Sequence, residues 1–348
     1  MNKENKKIKV LLSLNGDKDS LKPILDRAGV LLRYALEAAG MEYTYDYKDD
    51  FDYVHLLSLN QYWAYRSIRK KALKASSSPL ILTLFNDPLD LTNDDSEEEG
   101  DFQKVLEKTY KQVTADKVIC SCASQALMIK HLNLFPSVNA VNVGAKTYLK
   151  EEYSPAELSA FRQYYGLKDK DKVIVSYGPY DYSKGIYDLE SIARVMPEYE
   201  FFYFGERKGV LANSKHFGKG NTIPNLHYVD FIPNELYHSL MFLATALFLP
   251  YKYHADTVIP LEAMKARVPI VSAKNDILFD FLVDKKTAVI CENTDGFYHA
   301  LKNIEKINYK SSALKFAEPF TPESYGRRLR EVYLGTEKVT ELSKNKDE

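Results

Sequence analysis

Short β-rich runs that end in polar or turn residues alternate with segments of helical period along nearly the whole chain, and this alternation restricts the fold more than any other feature. The first group is IKVLLSL (8–14), YVHLLSL (53–59), LILTLF (80–85), KVICSC (117–122) and VNAVNVG (138–144), interleaved with segments such as ILDRAGVLLRYALEAAG and SQALMIKHLNLF. Parallel strands must be joined by crossovers long enough to hold a helix, so the pattern calls for a parallel sheet covered on both faces. It then restarts with KVIVSYGPYD (172–181), YEFFYFGER (199–207), NLHYVDFIP (225–233), TALFLPY (245–251), VPIVSAK (268–274) and TAVIC (287–291).

A chain of 348 residues is too long for one ordinary core and suits two domains. The expected architecture is α/β, with two Rossmann-like domains whose parallel sheets face a central cleft. Residues 1–165 form the first domain and 166–320 the second, and a helix over 321–343, capped by Thr321 with Glu323 in its first turn, packs back on the first domain. The acidic loop NDDSEEEGDF (93–102) reads as an insertion, because its carboxylates repel one another.

Charge excludes one class of partner. With 47 basic and 48 acidic side chains the formal charge is only −1, so no overall field draws in nucleic acid. Cys120, Cys122 and Cys291 lack the spacing of a zinc site or a disulfide framework; strand alternation over 117–122 points Cys120 and Cys122 to one face, as core packing. No apolar run reaches the length of a signal core or a membrane span, so a cytoplasmic chain is expected. Metal and cofactor are not implied: no His/Cys ligand spacing occurs, and D-x-D strings such as DKD (17–19 and 169–171) fall in lysine-rich turns.

The blocks VIVSYGPYDYSKGIYDLESIARVMPEYEFFYFGERK and NLHYVDFIPNELYHSLMFLATALFLPYKYHADTVIPLEAMKARVPIVSAKNDILFDFLVDKKTAVICENTDGFYHAL resemble the donor domain of GT-B glycosyltransferases, in the large retaining group that uses nucleotide sugars. ADKVICSCASQ and VNAVNVGAKTY resemble that group's last N-domain elements more loosely. The resemblance implies transfer of a hexose from a nucleotide sugar, with UDP the expected nucleotide, to a hydroxyl of a glycan or glycolipid, with retention. It places Gly178, Lys184, Gly205, Phe231, Ile232, Thr257, Val258 and Glu262 around the donor. Lys184 meets the diphosphate, the 257–258 backbone at a helix start offers N–H groups to it, and Glu262 accepts from the ribose hydroxyls. Lys184, His254 and Asp256 are the catalytic candidates, with His254 orienting the hexose.

Three positions depart from the family pattern. Pro179 replaces the usual Arg, His254 the first Glu of a two-carboxylate motif, and Phe85 a histidine near the sugar. They motivate the alternative reading, a non-catalytic GT-B module that is partner or stabiliser of another glycosyltransferase. On the acceptor side the candidates are Gly16, Asn86 and Asp87, although an Asn-Asp-Pro turn explains the last two without function. The segment QYWAYRSIRKKALKA (61–75) sets Trp63, Arg66, Lys70 and Lys74 on neighbouring helical positions. Such a face suits either peripheral contact at the inner membrane surface or plain solvation.

Overall fold

The computed structural model describes residues 7–12, 23–69, 77–84, 107–142, 154–178, 180, 184–205, 223–229, 234–252, 257–275 and 278–336. The chain divides into two compact units: the first takes the described residues up to 142 together with 320–336, the second those from 154 to 319.

In the first unit the chain runs β1 (Lys9–Leu12), α1 (Pro23–Ala38), β2 (Glu42–Thr44), β3 (Tyr53–Leu56), α2 (Leu59–Arg69), β4 (Leu80–Leu84), β5 (Lys117–Cys120), α3 (Ala123–His131) and β6 (Val138–Ala140). These strands form one parallel sheet in the order β2-β1-β3-β4-β5-β6. Every residue of β4 is buried, as a strand covered on both faces requires. The second unit runs α4 (Pro155–Tyr164), β7 (Lys172–Tyr177), α5 (Ile186–Val195), β8 (Tyr199–Phe204), β9 (Leu226–Val229), α6 (Asn234–Leu243), β10 (Ala244–Leu249), α7 (Val258–Lys265), β11 (Ile270–Ala273), β12 (Val289–Cys291), α8 (Thr294–Lys302) and α9 (Lys310–Ala317). Its sheet is also parallel, in the order β12-β11-β10-β7-β8-β9. Ile174, Phe201, Tyr203, Phe248 and Val271 join Leu189 and Phe297 from its helices in one core.

The last described helix, α10 (Pro322–Leu334), belongs to the first unit. Thr321 caps it by accepting from Ser324 N at 3.2 Å. Its inner face is buried through Tyr325, Leu329, Val332 and Tyr333 against the neighbouring α1. Three polar contacts fix it to the sheet. His55 on β3 sits between the Tyr333 hydroxyl at Nδ1 and the Thr83 hydroxyl at Nε2, each at 2.5 Å; Tyr53 OH donates to the Tyr333 carbonyl at 2.7 Å; and Lys117 Nζ donates to the Val332 carbonyl. Burial holds the His55 imidazole down to about 3, so it is neutral here.

Local pattern and structure differ at four places. Strand β2 has no counterpart among the expected strands: it is three residues long at the sheet edge, too short to carry an alternation. Cys122 lies beyond β5, at the N-cap of α3 in extended conformation, although each of the three cysteines, Cys120, Cys122 and Cys291, is buried in its own unit. Helix α4 packs on α6 and so falls in the second unit, where the sequence puts the boundary at 165. Helix α10 ends at Leu334 rather than 343, because Gly335 takes φ 65° and the bonds Thr336 N to Glu331 O and Gly335 N to Val332 O close the end.

Candidate functional site

In the second sheet β7 lies between β10 and β8. The chain steps outward from β7 through β8 to β9, then returns to the other side of β7 and steps outward through β10, β11 and β12. The connections after β7 and β10 therefore leave adjacent strands in opposite directions, and a ligand entering beyond the carboxyl ends of such strands meets both.

The β7 connection carries Gly178 and Lys184. Gly178 prolongs the strand, its N–H donating to Phe204 O at 2.8 Å. A Cβ built there would lie 2.8 Å from Lys184 Cγ and 3.1 Å from the Tyr203 hydroxyl, so the lysine stem lies across a bare Cα. Lys184 is only 6% exposed, and its Nζ stands 5.1 Å from the centre of the Tyr251 ring. Gly185 follows as the N-cap of α5 with φ 67°, and any Cβ on it would be 2.0 Å from the Pro250 carbonyl oxygen. Glycine is required there twice over, by conformation and by contact. Residues 184 and 185 are thus held against 251 and 250.

The β10 connection leads into α7, which is buried from Val258 to Met264. Helix α7 lies between β11 and α9, which explains an apolar content all round. Thr257 is its N-cap, 2% exposed, and its hydroxyl finds no hydrogen-bond partner among the described residues. A buried hydroxyl left that way is costly unless something outside the chain completes it. The N–H groups of the first turn and the helix dipole favour an anion at the same end. Glu262, one turn further in, has no solvent exposure at all. Among the described residues of this unit the buried charged side chains are Lys184, Glu190 and Glu262. Glu190 accepts from Tyr228 OH at 2.6 Å, in a contact where burial keeps the phenol protonated far above its ordinary range.

Of the residues expected at the donor, Gly178 and Lys184 are brought together directly, Thr257 and Val258 begin α7, and Glu262 lies one turn inside it. Gly205 follows β8 directly, its N–H donating to Val229 O at 3.1 Å. His254, Asp256, Phe231 and Ile232 lie outside the described residues, as do Pro179, Phe85, Gly16, Asn86, Asp87 and the acidic loop. Of the expected basic face, Lys70 and Lys74 lie outside the described residues; Trp63 is 37% exposed, with the Arg66 guanidinium 5.6 Å from its ring centre. Among the described residues no helix is long and apolar enough to cross a membrane, and no His, Cys, Asp and Glu cluster suits a metal. Sequence reasoning passed over Tyr251 and Pro250. Nothing in LPYKYH distinguishes a tyrosine that supports a lysine far away in sequence from one that fills a core.

Comparison with known proteins supplies the wider frame. The family profile described as Glycosyl transferases group 1 matches residues 159–346. The processive diacylglycerol alpha-glucosyltransferase of Acholeplasma laidlawii is 25% identical over 345 residues, which is 94% of this chain and 98% of that protein. Sucrose-phosphate synthase from Thermosynechococcus elongatus superposes with a TM-score of 0.69 at 13% identity, covering 94% of this chain and 98% of its own. HepE of Anabaena, solved with UDP and glucose, gives 0.65 at 12% identity, covering 93% and 99%. The structural likenesses show the fold, GT-B, with a parallel six-stranded sheet in each unit.

Proposed function

The chain belongs to the glycosyl transferases group 1 family, and from that premise we propose that it moves a hexose from a nucleoside diphosphate sugar, with UDP as the nucleotide, onto a hydroxyl of a glycan or glycolipid. The observation that carries the reading is the conjunction, at the switch point of one sheet, of a buried lysine and a helix N-terminus whose buried hydroxyl has no partner among the described residues. A diphosphate needs this chemistry: a fixed cation and aligned N–H donors in a site shielded from water, where electrostatic stabilisation is strongest.

In this reading Lys184 and the first turn of α7 hold the two phosphates, and the Thr257 hydroxyl donates to a phosphate oxygen. Glu262 accepts from the ribose hydroxyls, for which two carboxylate oxygens are apt. His254 orients the hexose, with Asp256 beside it. Transfer goes with retention. The bond from the anomeric carbon to the diphosphate oxygen breaks, the acceptor oxygen bonds that carbon on the same face, and the hydroxyl proton passes to the leaving diphosphate. No strong side-chain base is required. The Acholeplasma relative, named for diacylglycerol glucosylation, and HepE, also solved with UDP-glucose, make UDP-glucose and a diacylglycerol the first donor and acceptor to try. Such an acceptor gives the exposed Trp63 and Arg66 a use at an anionic membrane surface.

The test is a donor screen scored by transfer and by hydrolysis, run beside Lys184→Ala and Glu262→Ala. Each variant is expected to keep its circular dichroism spectrum and to lose about 100-fold or more in turnover, as loss of one stabilising contact at developing charge does elsewhere. Near-full turnover in both would sink the site. Failure of the unaltered protein to bind UDP or GDP at millimolar concentration would favour the non-catalytic module instead.

A further inference from the structure

Tyr251 follows β10 and is 1% exposed. Its hydroxyl donates to the Tyr177 carbonyl at the end of neighbouring β7, and its own carbonyl accepts from Asn275 Nδ2, beyond β11, at 3.4 Å. The ends of adjacent strands therefore hold one ring at both its tip and its root. The ring in turn lies 5.1 Å from Lys184 Nζ, inside the distance at which the negative face of an aromatic attracts an ammonium, and that attraction grows when water is excluded.

A lysine on a mobile loop would spread its ammonium over many rotamers, and fixing it costs entropy when the ligand binds. Here that freedom is already gone. The stem crosses the bare Cα of Gly178, the next residue abuts Pro250, and the ammonium meets Tyr251. We propose that Tyr251 is a positioning residue for the donor diphosphate, acting through Lys184: its ring holds the ammonium where the phosphates arrive and makes no contact with the donor itself. The inference rests on Lys184 being the cation of the donor site, as set out above.

Fluorine substitution separates this role from packing, because it drains the ring face of negative charge while nearly preserving shape. With Tyr251→Phe as reference, phenylalanines of increasing fluorine content are placed at 251. UDP and uridine are then titrated by calorimetry into each, with GDP and guanosine in parallel. The preference for the diphosphate over its nucleoside is expected to fall stepwise, by about tenfold over the series, while nucleoside affinity stays level. In a Lys184→Ala background the same series is expected to be flat, since the two groups act as one unit. A preference that ignores fluorine content, or diphosphate and nucleoside affinities that fall together, overturns the positioning role while leaving the donor site standing. An unaltered protein that binds neither diphosphate better than its nucleoside removes the donor reading itself, and this inference with it.

Discussion

Gly185 has a φ of 67° with the Pro250 carbonyl where its side chain would be. Gly185→Ala is therefore expected to push apart the connections after β7 and β10, costing about 2 kcal/mol or more of stability and most of the transfer rate. Denaturant titration beside a turnover assay checks it, and an alanine variant with unchanged midpoint and rate would contradict the contact. His55 makes a second residue-scale prediction. It stays neutral in the fold down to about pH 3, whereas an unfolded histidine takes up its proton near pH 6.5. Its folded value is depressed, so the stability it contributes is complete above about pH 6.5. That stability is lost as the pH falls toward 3, by at most about 1.4 kcal/mol per pH unit. Urea midpoints at pH 7, 6 and 5 should decline, and His55→Gln should flatten the decline. Lys184 and Glu262 are legible in the sequence, because a lysine before a glycine at a helix start and a carboxylate inside an otherwise apolar PLEAM both break a local rule. Tyr251 breaks none, and only its neighbours reveal it.

Helices α1 and α10 meet at Gly326, where an added Cβ would lie 2.0 Å from the Ala35 carbonyl oxygen. Gly326→Val should force the pair apart and destabilise the first unit by about 2 kcal/mol, read as an earlier unfolding transition with the second unit unchanged. At this scale the pattern of the chain serves well for long elements. The cap at Thr321 is visible because a side-chain acceptor before Pro322 and Glu323 is a local signal. Strand β2 is not, since it owes its existence to a neighbour: Lys9, Val10 and Leu11 of β1 pair with Glu42, Tyr43 and Thr44. The end of α10 shows the limit from the other side. Helical period continues past Leu334 in composition, and one left-handed glycine stops the helix.

On the scale of the whole molecule the chain leaves its first unit, builds the second, and returns, so residues far apart in sequence share one core. Truncation after residue 319 is expected to remove α10, expose the faces that meet Leu329 and Tyr333, and leave His55 without its Tyr333 partner. Scanning calorimetry of the shortened chain should lose or strongly lower the transition of the first unit and keep that of the second. Two full transitions would show that α10 is dispensable. The sequence alone determined that there are two α/β units and most of their strands, and it singled out Lys184 and Glu262 as candidates, because burial period, caps and misplaced charges are properties of neighbouring residues along the chain. The tertiary structure decided the edge strand β2, the contacts of Tyr333 with His55 and Tyr53 that anchor α10 on the first sheet, and the seating of Lys184 between Gly178 and Tyr251. Those depend on which distant segment arrives alongside, and a local pattern records that a side chain is covered without recording what covers it.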